Sequence, residues 1–232
     1  MIRIPVARHY HWPVLPAVFT SSLYPPPRAF RTRWLPVTGG HELWVQESGC
    51  ESGIPALVLH GGPGSGCSPL LARFFDPARY RVLCVDQRGA GRSRPAGGIE
   101  HNTLADLLGD LRLLRIGLGV DQWLVVGGSW GATLALLHAV DDPGAVSALL
   151  LRSVFLARRE DVNGFFGMDT EAGRRQWDEL CRTAGHEGVV DALAAIFAHG
   201  PLHAQREAAR SWWHWEQVRS GLAPQEPADA AF

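Results

Sequence analysis

The pentapeptide Gly127-Gly128-Ser129-Trp130-Gly131 sets a serine in G-x-S-x-G spacing, which points to nucleophilic attack on an acyl carbonyl by Ser129. In a chain with 26 glycines the match alone is weak, and its surroundings carry the inference. An apolar run, Trp123-Leu124-Val125-Val126, leads in, and an Ala/Leu-rich helical stretch, Ala132 to Val140, leads out. That is the strand–turn–helix frame in which a strained turn presents a serine hydroxyl. The turn calls for small residues on both sides of the serine. The competing reading is a tight strand-to-helix turn with an incidental serine.

A second segment, His60-Gly61-Gly62-Pro63-Gly64, follows another apolar run, Ala56-Leu57-Val58-Leu59. Glycines without Cβ obstruction let backbone N–H groups turn toward a developing oxyanion. Pro63 has no N–H, so Gly62 is the expected donor in this loop. The N–H of Trp130, directly after the nucleophile, is the expected second donor. A glycine-rich phosphate loop is the alternative, but the 22 basic residues are all arginine. Without lysine there is no Walker lysine, no Schiff base and no Ser-Lys dyad. Asp86-Gln87-Arg88-Gly89-Ala90-Gly91-Arg92-Ser93 closes a further strand. Asp86 precedes Ser129 in the chain and is read as structural, with Arg88 and Arg92 bracing the loops around the serine turn.

These segments need a scaffold, and the hydrophobic pattern supplies one. Short apolar strands at 56–59, 81–85, 123–126 and 148–151 alternate with helical stretches at 103–118 and 132–140. The first helix carries Leu104, Leu107, Leu108, Leu111 and Leu114, with Asn102 or Thr103 as its N-cap. This alternation predicts an α/β fold with a mostly parallel sheet. Upstream, Gly39-Gly40 between Trp34 and Gln46 predicts a hairpin. Residues 1–36, broken by Pro25-Pro26-Pro27, read as an arm packed on the domain. Residues 37–155 read as the core and 156–232 as an incomplete helical cap over the strand ends. The tail from Ala223 to Phe232 reads as a frayed loop.

Taken together, HGGPG at 60–64, DQRGAGRS at 86–93, Asn102-Thr103 and GGSWGATLAL at 127–136 resemble the prolyl iminopeptidases of the α/β-hydrolase fold. Ala209 and Trp212-Trp213-His214-Trp215-Glu216 resemble that family's Ala…Trp-x-x-Trp-Glu segment. The resemblance implies removal of N-terminal proline from a small peptide through an acyl-enzyme on Ser129. It also implies that Glu216 binds the substrate's free α-ammonium group. The residue types suit that role: Trp212 and Glu216 lie four apart on one helical face, a carboxylate beside an aromatic wall fit for a prolyl ring and its cation. An aromatic packing helix with a solvated glutamate is the alternative.

The family's order is Ser, then Asp or Glu, then His. After Ser129 the histidines are His138, His186, His199, His203 and His214, and none follows an apolar strand. Glu160 and Asp161 stand after the fourth strand, as an acid would, but without a base. The triad acid and base are therefore not found, and the last core strands are expected to be missing. That would leave 148–151 as a leucine-rich edge prone to aggregation. The reading that follows is the N-terminal part of a longer hydrolase, from a shortened or frameshifted reading frame.

Composition narrows the classes further. A net charge of -1 gives no footing for nucleic acid or an anionic membrane. No apolar run approaches the roughly 18 residues of a membrane span. The N-terminus has no apolar signal segment. Cys50, Cys67, Cys84 and Cys181 form no CxxC pair, favouring reduced thiols and a cytoplasmic location. Cys67 reads as a small buried side chain. His199 and His203 have metal-ligand spacing, but Gly200-Pro201 breaks the helix between them, so no metal or cofactor is expected. Two other functions stay open: a catalytically inactive remnant or non-catalytic binding protein, and a general α/β-hydrolase esterase.

Overall fold

The computed structural model describes residues 23–156, 158, 160–161, 171–184 and 188–219. The arm's residues 1–22, His186 and the tail from Ala223 lie outside them. The chain divides into two compact units between Phe155 and Leu156.

The first unit is a six-stranded sheet in the order β1-β2-β4-β3-β5-β6. Strands β1 (Ala29–Pro36) and β2 (Glu42–Gly49) form the hairpin, joined through Gly39 and Gly40 at φ 71° and 77°. Strand β1 thus begins inside the segment read from sequence as an arm, just beyond the three prolines that bar regular structure. β2 runs antiparallel to β4 (Tyr80–Val85), and from there the sheet is parallel through β3 (Ile54–Leu59), β5 (Trp123–Gly128) and β6 (Val146–Arg152).

Side chains along the strands alternate between two cores. On one face Leu57, Leu59, Leu83, Val85 and Val125 pack with helices α1 (Leu104–Gly117) and α2 (Trp130–Asp141). On the other, Ala56, Val58, Val82 and Cys84 pack with Cys67, Ala72 and Phe75 from the β3–β4 connection. Chain leaving β3 therefore covers one face, and chain leaving β5 covers the opposite face. Adjacent parallel strands whose connections diverge in this way open a crevice at their carboxyl ends. The two chemistry-bearing loops, after β3 and after β5, flank that crevice.

Helix α1 is started by Thr103. Its hydroxyl accepts from the Asp106 N–H, and Asp106 reaches back to the Thr103 N–H at 2.9 Å, a reciprocal cap. Asn102, the other candidate cap, instead donates to the carbonyls of Arg88 (3.2 Å) and Gly98 (3.1 Å).

β1 and β6 are the two edges. β1 carries Arg31, Arg33 and Pro36, residues that discourage strand addition. β6 carries a Leu149-Leu150-Leu151 run, with Leu149 and Leu150 36% and 49% exposed and no second neighbour strand among the described residues.

The second unit contains helices α3 (Glu171–Ala184), α4 (Val189–His199) and α5 (Leu202–Arg219). They share a core of Leu180, Cys181, Val189, Leu193, Ala208 and Trp215. No helix among the described residues is long and apolar enough to cross a membrane.

Candidate active site

Ser129 stands alone between β5 and α2 with φ 54° and ψ -122°. A non-glycine residue held there stores about 1–3 kcal/mol of backbone strain, which the surroundings must enforce. They do so through backbone contacts. The Ser129 N–H donates to the Arg152 carbonyl at 3.0 Å, and the Ser129 carbonyl accepts from Ala132 N at 2.9 Å. Gly127 and Gly131 are required by space. A Cβ on Gly127 would sit 2.2 Å from the Gly131 carbonyl oxygen, and one on Gly131 would sit 2.2 Å from that of Leu59. Gly128 has open space around it, so the expected need for small neighbours falls on the two motif glycines. The Ser129 side chain is exposed and takes no hydrogen-bond partner among the described residues.

The loop after β3 comes directly against this turn. A Cβ on Gly61 would lie 3.0 Å from the Gly128 carbonyl and 3.4 Å from Ser129 Cβ. Gly62 has φ 107°, open to glycine alone without strain, and the Gly62–Pro63 peptide is cis. Trp130 opens α2, so its N–H has no acceptor within the helix. The two expected donors, Gly62 and Trp130, thus belong to loops in contact.

His60 at the base of the loop is buried and neutral. Its Nε2 accepts from the Gln87 backbone N–H at 3.0 Å, and its Nδ1 donates to the Gly61 carbonyl at 2.8 Å. Burial lowers its pKa further below the ordinary value. With both nitrogens engaged, His60 holds the loop and is not a free base. His138 is likewise buried, accepts from Trp123 Nε1 at 3.1 Å, and is lowered by burial.

The arginine braces anticipated from sequence are present in detail. Buried Asp86 accepts from Cys67 N (2.6 Å), Arg92 N (2.9 Å) and Arg92 Nε (2.8 Å), while Arg92 Nη2 donates to the Cys67 carbonyl (3.0 Å). The Arg92 guanidinium lies 3.3 Å from the Trp44 ring centroid. Arg88 makes a two-pronged pair with Asp110 at 2.6 and 2.7 Å, and also binds the His101 carbonyl and Thr38 Oγ1. Burial pushes the Asp110 carboxyl upward against the pull of Arg88. The Asp86–Arg92 pair ties the β3 loop at Cys67 to the segment after β4, and the Arg88–Asp110 pair ties that segment to α1; neither makes a hydrogen bond to the Ser129 turn.

Sequence reasoning passed over Gln87, which is buried and touches both loops. Its side chain donates to the His60 carbonyl at 2.9 Å and accepts from Trp130 Nε1 at 3.0 Å. Its position at the end of a strand beside the β3 loop was the available signal.

In the second unit, Trp212 and Glu216 line one cavity of about 360 Å³ between α4 and α5. Val190, Leu193, Phe197 and Ala209 form its apolar wall, and Glu216 is the carboxylate in that lining. His199 ends α4 and His203 lies in α5, separated by Gly200 and Pro201. Among the described residues no group of three His, Cys, Asp or Glu is placed to hold a metal. Asp161 accepts from Leu156 N, Arg158 N and the Arg158 guanidinium, which holds its pKa at about 2. That carboxylate is committed to its own turn.

The sequence profile of the alpha/beta hydrolase fold family matches residues 55–183. A proline iminopeptidase of Neisseria meningitidis is 35% identical over 219 residues, 90% of this chain and 69% of that protein. This chain belongs to the proline iminopeptidase family of α/β hydrolases. A second family relative, the proline iminopeptidase of Arabidopsis thaliana, is 38% identical over 208 residues. The chain spans 55% of the length of that relative and 69% of the bacterial one. In fold, the solved proline iminopeptidase of Mycobacterium smegmatis is similar with a TM-score of 0.53 at 24% identity, over 82% of this chain and 68% of that one.

Proposed function

We propose that this chain carries the nucleophile and oxyanion donors of a proline iminopeptidase, with Ser129 attacking the carbonyl of an N-terminal proline. The observation that carries the reading is the strained, exposed Ser129 pressed against the Gly61–Gly62 loop. Relatives named proline iminopeptidase support the substrate class. Oγ attack forms a tetrahedral oxyanion, which the Trp130 and Gly62 N–H groups stabilise. Collapse breaks the C–N bond, the departing amine takes up the proton that Oγ gave to the general base, and water then hydrolyses the prolyl ester, releasing proline and restoring the Ser129 hydroxyl. Within the second unit, the Trp212–Glu216 cavity sets a carboxylate in an apolar lining, chemistry that suits a prolyl ring and its ammonium group.

Attack also needs a base for the Oγ proton, and no described residue of the first unit makes a hydrogen bond to the Ser129 side chain. A second reading, for a chain that folds but lacks such a base, is a non-catalytic peptide-binding protein. Hydrolysis of a prolyl chromogenic amide by the purified chain, beside Ser129→Ala and Glu216→Gln, separates the two. The peptidase reading expects turnover abolished by the first substitution and a raised KM from the second. A folded chain that binds proline peptides without turning them over supports the binding reading. Cleavage of simple esters in preference to prolyl amides would point to a general esterase.

A further inference from the structure

Three strand ends converge at the candidate oxyanion site, and one side chain connects them. Gln87 follows β4, His60 follows β3, and Trp130 follows the nucleophile after β5. In the sheet, β3 lies between β4 and β5, so Gln87 reaches across the end of β3 to contact α2. Its carboxamide orientation is unambiguous, because the His60 carbonyl only accepts and the Trp130 indole N–H only donates. A third bond, from the Gln87 backbone N–H to His60 Nε2, locks the imidazole whose Nδ1 holds the Gly61 carbonyl.

We propose that Gln87 is a positioning residue that sets the spacing between the two oxyanion donors, acting through His60 on the Gly61–Gly62 loop and through the indole on Trp130. The inference rests on the reading of Ser129 as a nucleophile. Neither donor segment has another side-chain tie to the other among the described residues. The Asp86–Arg92 pair holds the far end of the loop at Cys67, and the Arg88–Asp110 pair holds α1. Gln87 is buried and its bond to the His60 carbonyl is fully so, which leaves that carbonyl without a ready water partner when the bond is broken; the bond to the indole is part-buried. Donors displaced from the oxyanion position lose part of the hundredfold or greater acceleration that one such donor supplies.

Gln87→Met keeps the side chain's length and removes both bonds. Gln87→Glu keeps the acceptor for the indole, and can donate to the His60 carbonyl only when protonated. The first readout is the rate at which an alkyl fluorophosphonate forms its Ser129–phosphorus bond and expels fluoride. The second is hydrogen exchange of the Trp130 indole N–H, assigned by its loss in Trp130→Phe, and of the amides of residues 60–66.

The expected result for Gln87→Met is a 10- to 100-fold slower maximal labelling rate, with the half-saturating probe concentration changed less than threefold. Gln87→Glu should recover toward wild type as pH falls, measured relative to wild type at each pH. Exchange of the indole and of the loop amides should be at least tenfold faster in Gln87→Met. Labelling within twofold of wild type in a folded Gln87→Met protein overturns the proposal. If wild type itself fails to react, the nucleophile reading fails and exchange decides the positioning role. Faster exchange at both segments then upholds the bridge, and unchanged exchange at both overturns it.

Discussion

Gly131→Ala is the sharpest test of how the serine turn is held. The new Cβ would lie 2.2 Å from the Leu59 carbonyl oxygen and 2.8 Å from that of His60. The nearer contact is more than about 1 Å short of van der Waals separation. Both obstructing atoms are backbone, one in a central strand, so no side chain can rotate away. Forcing them apart should cost about 1–3 kcal/mol, the usual range for overpacking. For a chain of this size that lowers the unfolding midpoint by roughly 2–12 °C, at about 2–4 °C per kcal/mol. Gly128→Ala, three residues away, is the control, since a Cβ there meets nothing within 4 Å. Its φ is not in the left-handed region, so it should change stability by less than about 1 kcal/mol. Thermal melts followed by far-ultraviolet circular dichroism compare the two. Equal midpoints for both variants would refute the claim that close backbone approach, and not the mere presence of glycine, holds the elbow.

Two further outcomes follow from burial. His60 and His138 both have pKa values lowered by burial, so the unfolded chain takes up protons first as pH falls. Their contribution is intact above the unfolded value of about 6.5 and is lost as pH drops toward their folded values. Urea midpoints should therefore decline from pH 7.5 to pH 5, and the decline should lessen in His138→Gln; an unaltered slope in that variant would remove His138 from the account. On β6, which has no second neighbour strand among the described residues, Leu150→Lys replaces a half-exposed leucine with a charge. It should raise soluble yield and lower light scattering while shifting stability by less than about 1 kcal/mol; unchanged scattering would show that this edge does not drive association.

The parts of this molecule legible in sequence are those written in local periodicity. Leu57/Leu59 and Ala56/Val58 alternate into separate cores, and Leu107, Leu111 and Leu114 share a helix face, so strands and helices could be placed from spacing alone. The serine turn was legible because Gly127 and Gly131 lie within one motif, although which neighbours must be small depends on the approach of the Leu59 and Gly131 carbonyls and is not written in the motif. Pairing between distant segments was not legible. That β1 begins at Ala29 depends on its match to β2, from Ala29 opposite Ser48 to Pro36 opposite Glu42, and no residue in β1 encodes its partner. The bridging role of Gln87 was hidden for a related reason: its strand-end position could be read, but its two partners lie 27 and 43 positions away.

The same distinction explains why the crevice sits where it does. Its floor requires that chain leaving β3 and chain leaving β5 cover opposite faces, a property of strand order and not of either loop. Given that order, the carbonyl of Leu59 and the backbone of Gly131 are forced together, and the two glycine-rich loops must meet. Glycine at 131 is thus demanded by a strand 72 positions earlier. The Ser129 turn is held in place by the sheet's topology first and by Gln87 between the two loops second, with the Asp86–Arg92 and Arg88–Asp110 pairs securing the neighbouring segments.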